Sequence, residues 1–138
     1  MRFKTPGDQM HRLAIGAAFI ALLGGQALAQ QQIDFAKVEI KATDLGHGVY
    51  EMEGAGGNLG VFTGPDGVLM VDTEFAPLAD KIKAAIAKVS DKPLKFVIDT
   101  HWHGDHIGGN ELMEKAGAIV IAHENVRSRM MKGGYNAA

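Results

Sequence analysis

Hydrophobic and polar positions follow three different rhythms along this chain. From Leu13 to Leu23 (LAIGAAFIALL) no polar side chain interrupts the run. From Phe35 onward short β-prone runs take over, at Phe35–Ile40, Val49–Met52, Leu59–Thr63 and Val68–Val71. Turn residues separate them: Thr43-Asp44, Gly54 to Asn58, and Gly64-Pro65-Asp66-Gly67. In the last of these, Pro presets φ at the second position and Gly takes the strained one. The pattern predicts an antiparallel meander.

After Asp72 the period lengthens to that of a helix. Leu78, Ile82, Ile86 and Val89 fall on one face, with Pro77 where a first turn tolerates it. Lys81, Lys83 and Lys88 take the wet side, and Pro93 ends the helix. Lys95–Ile98 (KFVI) and Ala118–Ala122 (AIVIA) read as buried strands. Between them Asn110 is the predicted N-cap of a helix over Glu111–Ala116, closed by Gly117. Glu124–Met131 reads as a last helix, loosened by Gly133-Gly134. The order β-α-β-α-β predicts an α/β fold with parallel strands covered by helices.

The first rhythm carries an address. Arg2, Lys4 and Arg12 precede the apolar run, Gly24-Gly25-Gln26 breaks it, and Ala27-Leu28-Ala29 follows with small residues two apart. A basic start, a short apolar stretch and an A-x-A site form a secretory signal peptide. Residues 1–29 are therefore assigned to that peptide, 30–138 to the mature domain, and the location to a bacterial periplasm or the exterior. A membrane anchor needs about 20 apolar residues, more than this run supplies. Setting aside Arg2, Lys4, Arg12 and Asp8 leaves 11 basic against 15 acidic residues. An acidic body lacks the basic face that nucleic-acid binding requires. With no Cys in 138 residues, a metal here is held by His and carboxylates.

Those residue types are concentrated at one place. The strand at 95–98 runs into Asp99-Thr100-His101-Trp102-His103-Gly104-Asp105-His106 and then Ile107-Gly108-Gly109-Asn110. Three of the six His lie within one hexapeptide, beyond what a loop needs for packing. In an extended segment alternate side chains share a side, so His101, His103 and Asp105 converge and His106 points elsewhere. His and Asp are ligands that zinc accepts when thiolates are absent. The position also suits a site, at the carboxyl end of a strand. Elsewhere His123 is read as a helix cap, His47 as a turn residue, Asn58 and Trp102 as lining the mouth of the site, and Met113, Met130 and Met131 as core or fill.

The stretch His101-x-His103-x-Asp105-His106 resembles the HxHxDH motif of the metallo-β-lactamase superfamily. Gly57-Asn58, Gly67 to Asp72 and Thr100 to Asn110 resemble the first half of that family as well. The resemblance implies an αββα sandwich, of which this chain covers about the first half. It implies that His101 and His103 ligate one zinc and Asp105 and His106 a second, with iron or manganese as other occupants. Asp105 gains a proton-accepting, catalytic role by the same resemblance. Asp72 matches a family Asp that lies beside the metals without ligating them; a strand-end cap is the other reading.

The family's second half supplies a further His, a bridging acidic residue and a last His. After Met131 this chain has only Lys132-Gly133-Gly134-Tyr135-Asn136-Ala137-Ala138, none of which matches them. The expectation is an exported zinc hydrolase of a small molecule, a lactam, lactone or ester, whose 138-residue piece is inactive alone. A catalytically inactive metal-binding fragment and a mononuclear iron sulfur dioxygenase of the same fold are the alternatives.

Overall fold

The computed structural model describes residues 32–133. The signal-peptide assignment falls on residues 1–29 and lies outside them. Four strands come first: β1 Lys41–Gly46, β2 Val49–Glu53, β3 Asn58–Gly64 and β4 Gly67–Val71. A short 3-10 turn, Ala76–Leu78, leads into α1 Ala79–Val89, and β5 Leu94–Asp99 follows. Then come α2 Gly104–Ile107, α3 Asn110–Lys115, β6 Ile119–Ala122 and α4 Glu124–Met131. All six strands form one sheet in the order β1-β2-β3-β4-β5-β6. The pairs from β1 to β4 are antiparallel, and β4-β5 and β5-β6 are parallel. The predicted meander and the predicted βαβ half are thus both present. The switch falls at α1, because a parallel return needs a crossover that a tight turn cannot supply. Among the described residues no helix is long and apolar enough to cross a membrane.

The turns follow their chemistry. Gly46, His47 and Gly48 all have positive φ (89°, 55° and 79°) and close the β1-β2 hairpin, as read for His47. Gly64 faces Gly67 across the next hairpin, and Gly67 takes φ 148°, which a side chain resists.

One face of the sheet is core. Met52, Leu59, Val61, Val68, Met70 and Val97 are buried against Leu78, Ala79, Ile82, Ala85 and Ile86 of the first helical segment and Met113 of α3. Among the described residues, nothing covers the opposite face. Its register rows are Phe62, Leu69, Phe96 and Ile119, and beside them Val71, Ile98 and Ile121. Ile119 is 60% exposed, Ile121 47%, Phe62 42%, and Phe96 and Ile98 37% each. The KFVI and AIVIA strands are therefore half-buried rather than buried. Unbroken apolar runs report two apolar faces, and the helices cover only one of them.

Two local assignments change. Phe35–Ile40 is no strand: residues 35–37 turn, and the sheet starts at Lys41, so Thr43 and Asp44 lie inside β1. Phe35, Val38 and Ile40 still pack against the core, but as a strap along its edge. Lys81 explains how the strap is held. Its ammonium donates to the carbonyls of Phe35 (3.0 Å), Ala36 (2.8 Å) and Val38 (2.6 Å), so it is not on the wet side. Helical spacing located the residue correctly but could not show the carbonyls waiting above it. Lys81→Met is expected to cost about 1.5–3 kcal/mol in urea unfolding, the worth of a charge-assisted hydrogen bond. Proteolysis should open first within 32–40.

Candidate metal centre

β4 and β5 run parallel and end together, with Val71 opposite Ile98 and the Asp72 amide donating to the Ile98 carbonyl at 3.0 Å. At that end the chain leaving β4 bends sharply: Asp72 has φ 62° and Glu74 φ 57°. Such left-handed conformations at residues with side chains are held by their surroundings. The chain leaving β5 passes through Thr100 to His103 and enters α2, whose N-cap is His103. The His103 carbonyl accepts from the amides of His106 (3.0 Å) and Ile107 (3.1 Å). Gly108 and Gly109 lie so close to Glu74 and Thr73 that a Cβ would stand 2.8 Å and 2.6 Å from their carbonyl oxygens.

This helical turn overturns the extended-segment geometry. Alternation would send His106 away, but a helix returns to the same side after three or four residues. The His106 ring therefore lies 4.0 Å from the His101 ring, centroid to centroid. His101 Nε2 stands 3.2 Å from His103 Nδ1, and His106 Nε2 stands 3.6 Å from Asp105 Oδ2. All four side chains gather at one place. Two nitrogens sharing a tetrahedral zinc at 2.0–2.1 Å each would stand about 3.3 Å apart, so the His101–His103 separation suits such a cation. The contacts are pairwise: among the described residues no group of three or more His, Cys, Asp or Glu is arranged to hold a metal ion by itself.

Asp72 organises both imidazoles. Its buried carboxylate accepts from the Thr100 amide (2.8 Å), the Thr100 hydroxyl (2.7 Å) and His106 Nδ1 (2.8 Å). The Thr100 hydroxyl, its proton given to Asp72, can only accept from His101 Nδ1 at 3.0 Å. Each ring thus carries its proton on Nδ1 and leaves Nε2 with a lone pair facing the cluster. The two sequence readings of Asp72, cap and neighbour of the metals, describe one residue doing both.

Three features escaped the sequence reading. Gly57 lies against the His106 ring, where a Cβ would collide with Cε1, and a Cβ at Gly56 would stand 2.7 Å from the Asp105 Cβ. Glu74 is wholly buried, and its Oε2 accepts from the amides of Gly56 (2.8 Å) and Ala55 (3.3 Å). Asp99 is buried under the loop; its Oδ2 accepts from the Asn110 amide at 2.8 Å, and Asn110 Oδ1 accepts from the Thr73 hydroxyl at 2.8 Å. Asn110 is therefore a half-buried strut and not the N-cap of α3, a place taken by Gly109. Nothing in spacing or propensity marks these contacts, which join residues 11 to 49 positions apart.

Burial pushes the Asp99 carboxyl from 3.8 up to about 6, against the Asn110 hydrogen bond and with help from the Asp72 charge. Burial also raises Glu74, with the Gly56 and Ala55 amides opposing it. A carboxyl raised in the folded state binds its proton more tightly there than when unfolded. Its contribution to stability falls as pH rises from about 4 to about 6 and stays low above that. Asp99→Asn is expected to gain on the order of 1–3 kcal/mol at pH 7 in the metal-free chain. Urea titrations at pH 7 and pH 4 should show that gain shrinking at the lower pH.

The remaining candidates separate cleanly. His123 is the N-cap of α4, its Nδ1 accepting from the Asn125 amide at 3.1 Å, as expected of a helix cap. Asn58 is tied to Glu51 at 2.7 Å. Trp102 packs on His103 with ring centroids 4.9 Å apart, and the Arg129 guanidinium lies 5.5 Å above its ring. Met113 is core, but Met130 and Met131 are exposed at 37% and 75% and are not fill. The eight-residue α4 buries only Val126, so its apolar C-terminal end finds no cover.

Comparison with known proteins identifies the family. The model of the metallo-beta-lactamase superfamily matches residues 52–137. The linear primary-alkylsulfatase of Pseudomonas sp. (strain ATCC 19151) is 35% identical over 77 residues, 51% of this chain and 15% of that protein. The hydroxyacylglutathione hydrolase of Pelagibacter ubique is 45% identical over 51 residues, 35% of this chain and 21% of that protein. The chain thus spans about a fifth or less of the curated relatives it matches. A metallo-beta-lactamase structure from Hirschia baltica superposes with TM-score 0.63 at 21% identity, over 70% of this chain and 49% of that one. At that identity the likeness speaks for the fold. With the strand order, the clustered His and Asp side chains and the matching residues 52–137 in agreement, the chain belongs to the metallo-beta-lactamase superfamily.

Proposed function

We propose that this chain is the front half of an exported, zinc-dependent hydrolase of a lactam, lactone or ester. The observation that carries the reading is the gathering of His101, His103, Asp105 and His106 at the ends of β4 and β5, with Asp72 behind them. His101 and His103 would hold one zinc, and Asp105 and His106 a second; iron or manganese suits the same donors. Bound there, zinc supplies a hydroxide near neutral pH and polarises a carbonyl. The protein's own contribution is orientation. Asp72 and Thr100 fix the Nδ1–H tautomers of His106 and His101, and Asp105 would accept a proton. Relatives named as a sulfatase, a hydrolase and beta-lactamases support hydrolysis as the reaction class.

Turnover belongs to the longer parent in this reading. Catalytic zinc takes three protein ligands and a water, whereas the pairwise contacts here offer two donors to each metal. That same observation favours a second reading, a metal-binding piece without catalysis of its own. Purified chain loaded with zinc should leave a chromogenic β-lactam and a lactone untouched. The parent protein should cleave one of them and lose that activity to a chelator. Chelator-sensitive turnover by the monomeric chain would refute the half-site argument. Export is tested separately: the secreted product should begin at Gln30.

A further inference from the structure

The Gly54–Gly57 segment between β2 and β3 is pressed against two of the four clustered side chains. Gly57 covers the His106 ring and Gly56 abuts Asp105, so closely that neither position has room for a Cβ. Contact this tight has to be enforced, since glycine-rich chain is free to lift away. Among the described residues, the only side chain hydrogen-bonded to this segment is Glu74. We propose that Glu74 is a positioning residue, which holds the glycine segment down on His106 and Asp105 and thereby fixes how those two side chains meet a metal. The proposal rests on the metal-site reading above for its final step.

The geometry assigns Glu74 both walls of the site. Its side chain holds Gly56 and Ala55, while its own carbonyl accepts from the Gly109 amide at 3.0 Å, anchoring the far end of the ligand-bearing loop. Its backbone is held at φ 57°. Its other oxygen, Oε1, is buried and has no hydrogen-bond partner among the described residues. Burying a charged group with one oxygen unpaired costs stability, and a residue selected for packing alone would avoid that cost. Asp72 orients His106 through Nδ1, and Glu74 confines the ring by way of the loop.

The test begins on the metal-free chain. Wild type should show a nuclear Overhauser contact between Gly57 and the His106 ring, and slow exchange of the Gly56 amide. Glu74→Ala should lose both, whereas Glu74→Gln, which retains an accepting oxygen, should keep them. Cobalt(II) then serves as the metal probe. Its visible spectrum should shift in Glu74→Ala, with affinity lower by about tenfold, the scale of losing a partner that orients a ligand. Glu74→Gln should restore spectrum and affinity, which general loss of stability would not do. If Glu74→Ala fails to fold, Glu74→Leu keeps the bulk, removes the acceptors and is read in its place. A folded variant without the carboxylate that keeps the Gly57–His106 contact and the wild-type cobalt spectrum overturns the proposal. Should wild type bind no cobalt, the metal-site reading fails, and the Gly57–His106 contact still decides whether Glu74 holds the loop.

Discussion

Replacing His103 by Ala is expected to lower zinc affinity by more than about a hundredfold, because losing a direct ligand exceeds the 10–100-fold cost of losing an orienting partner. Asp72→Ala should fall within that smaller range: the donor atoms remain, but His106 loses the acceptor that fixes its tautomer. His123→Ala should leave zinc uptake unchanged and loosen only the start of α4, since His123 spends its ring nitrogen on the Asn125 amide. Competition against a chromophoric chelator, with metal content measured after desalting, gives all three values. Equal losses from His103→Ala and His123→Ala would mean that His123 has been misassigned. Full retention of zinc in His103→Ala would remove the motif from the metal site.

The second large effect concerns the open sheet face. Phe62, Leu69, Phe96 and Ile119 make one continuous register row, and Val71, Ile98 and Ile121 make the next. Covering a large apolar side chain is worth about 1.5–3 kcal/mol, so this face gains strongly from any sheet laid upon it. The isolated chain should therefore self-associate. Phe96→Lys with Ile121→Glu should hold it in solution at concentrations where wild type sediments, leaving far-ultraviolet circular dichroism intact. In a longer chain carrying the second sheet that the family resemblance implies over this face, the same pair should prevent folding. A wild-type chain that remains monomeric through sedimentation velocity at high concentration would contradict the argument. So would a double variant no more soluble than its parent.

Much of the architecture was legible from residue order because it depends on local rules. The β-prone runs between turn residues at Val49–Met52, Leu59–Thr63 and Val68–Val71 locate three strands to within a residue or two of their observed ends. The period of Leu78, Ile82 and Ile86 locates the core face of the helix. The motif at His101–His106 was legible for another reason: its residue types have no packing purpose at that density. Misreadings arose where a partner distant in sequence, or a local turn that spacing does not announce, decided the outcome. Phe35–Ile40 is apolar enough for a strand, but the carbonyls of Phe35, Ala36 and Val38 are claimed by Lys81 on a helix. His106 was turned outward by assuming extended chain, although Gly104–Ile107 winds into a helical turn.

By itself the sequence determined the strand and helix periods, the hairpin turns, the absence of thiolate ligands and the cluster of imidazoles and carboxylates, all set by a residue's own chemistry and its near neighbours. The tertiary structure alone decided how that cluster is held. It put Asp72 behind His106 and Thr100 behind His101, pressed Gly57 onto the ring, and buried Glu74 and Asp99 where water cannot reach them. The physical reason is range. Periodicity and propensity act over a few residues, whereas orienting a ligand requires a carboxylate some thirty positions away to arrive within hydrogen-bond distance, which only the packed parallel strands β4 and β5 provide.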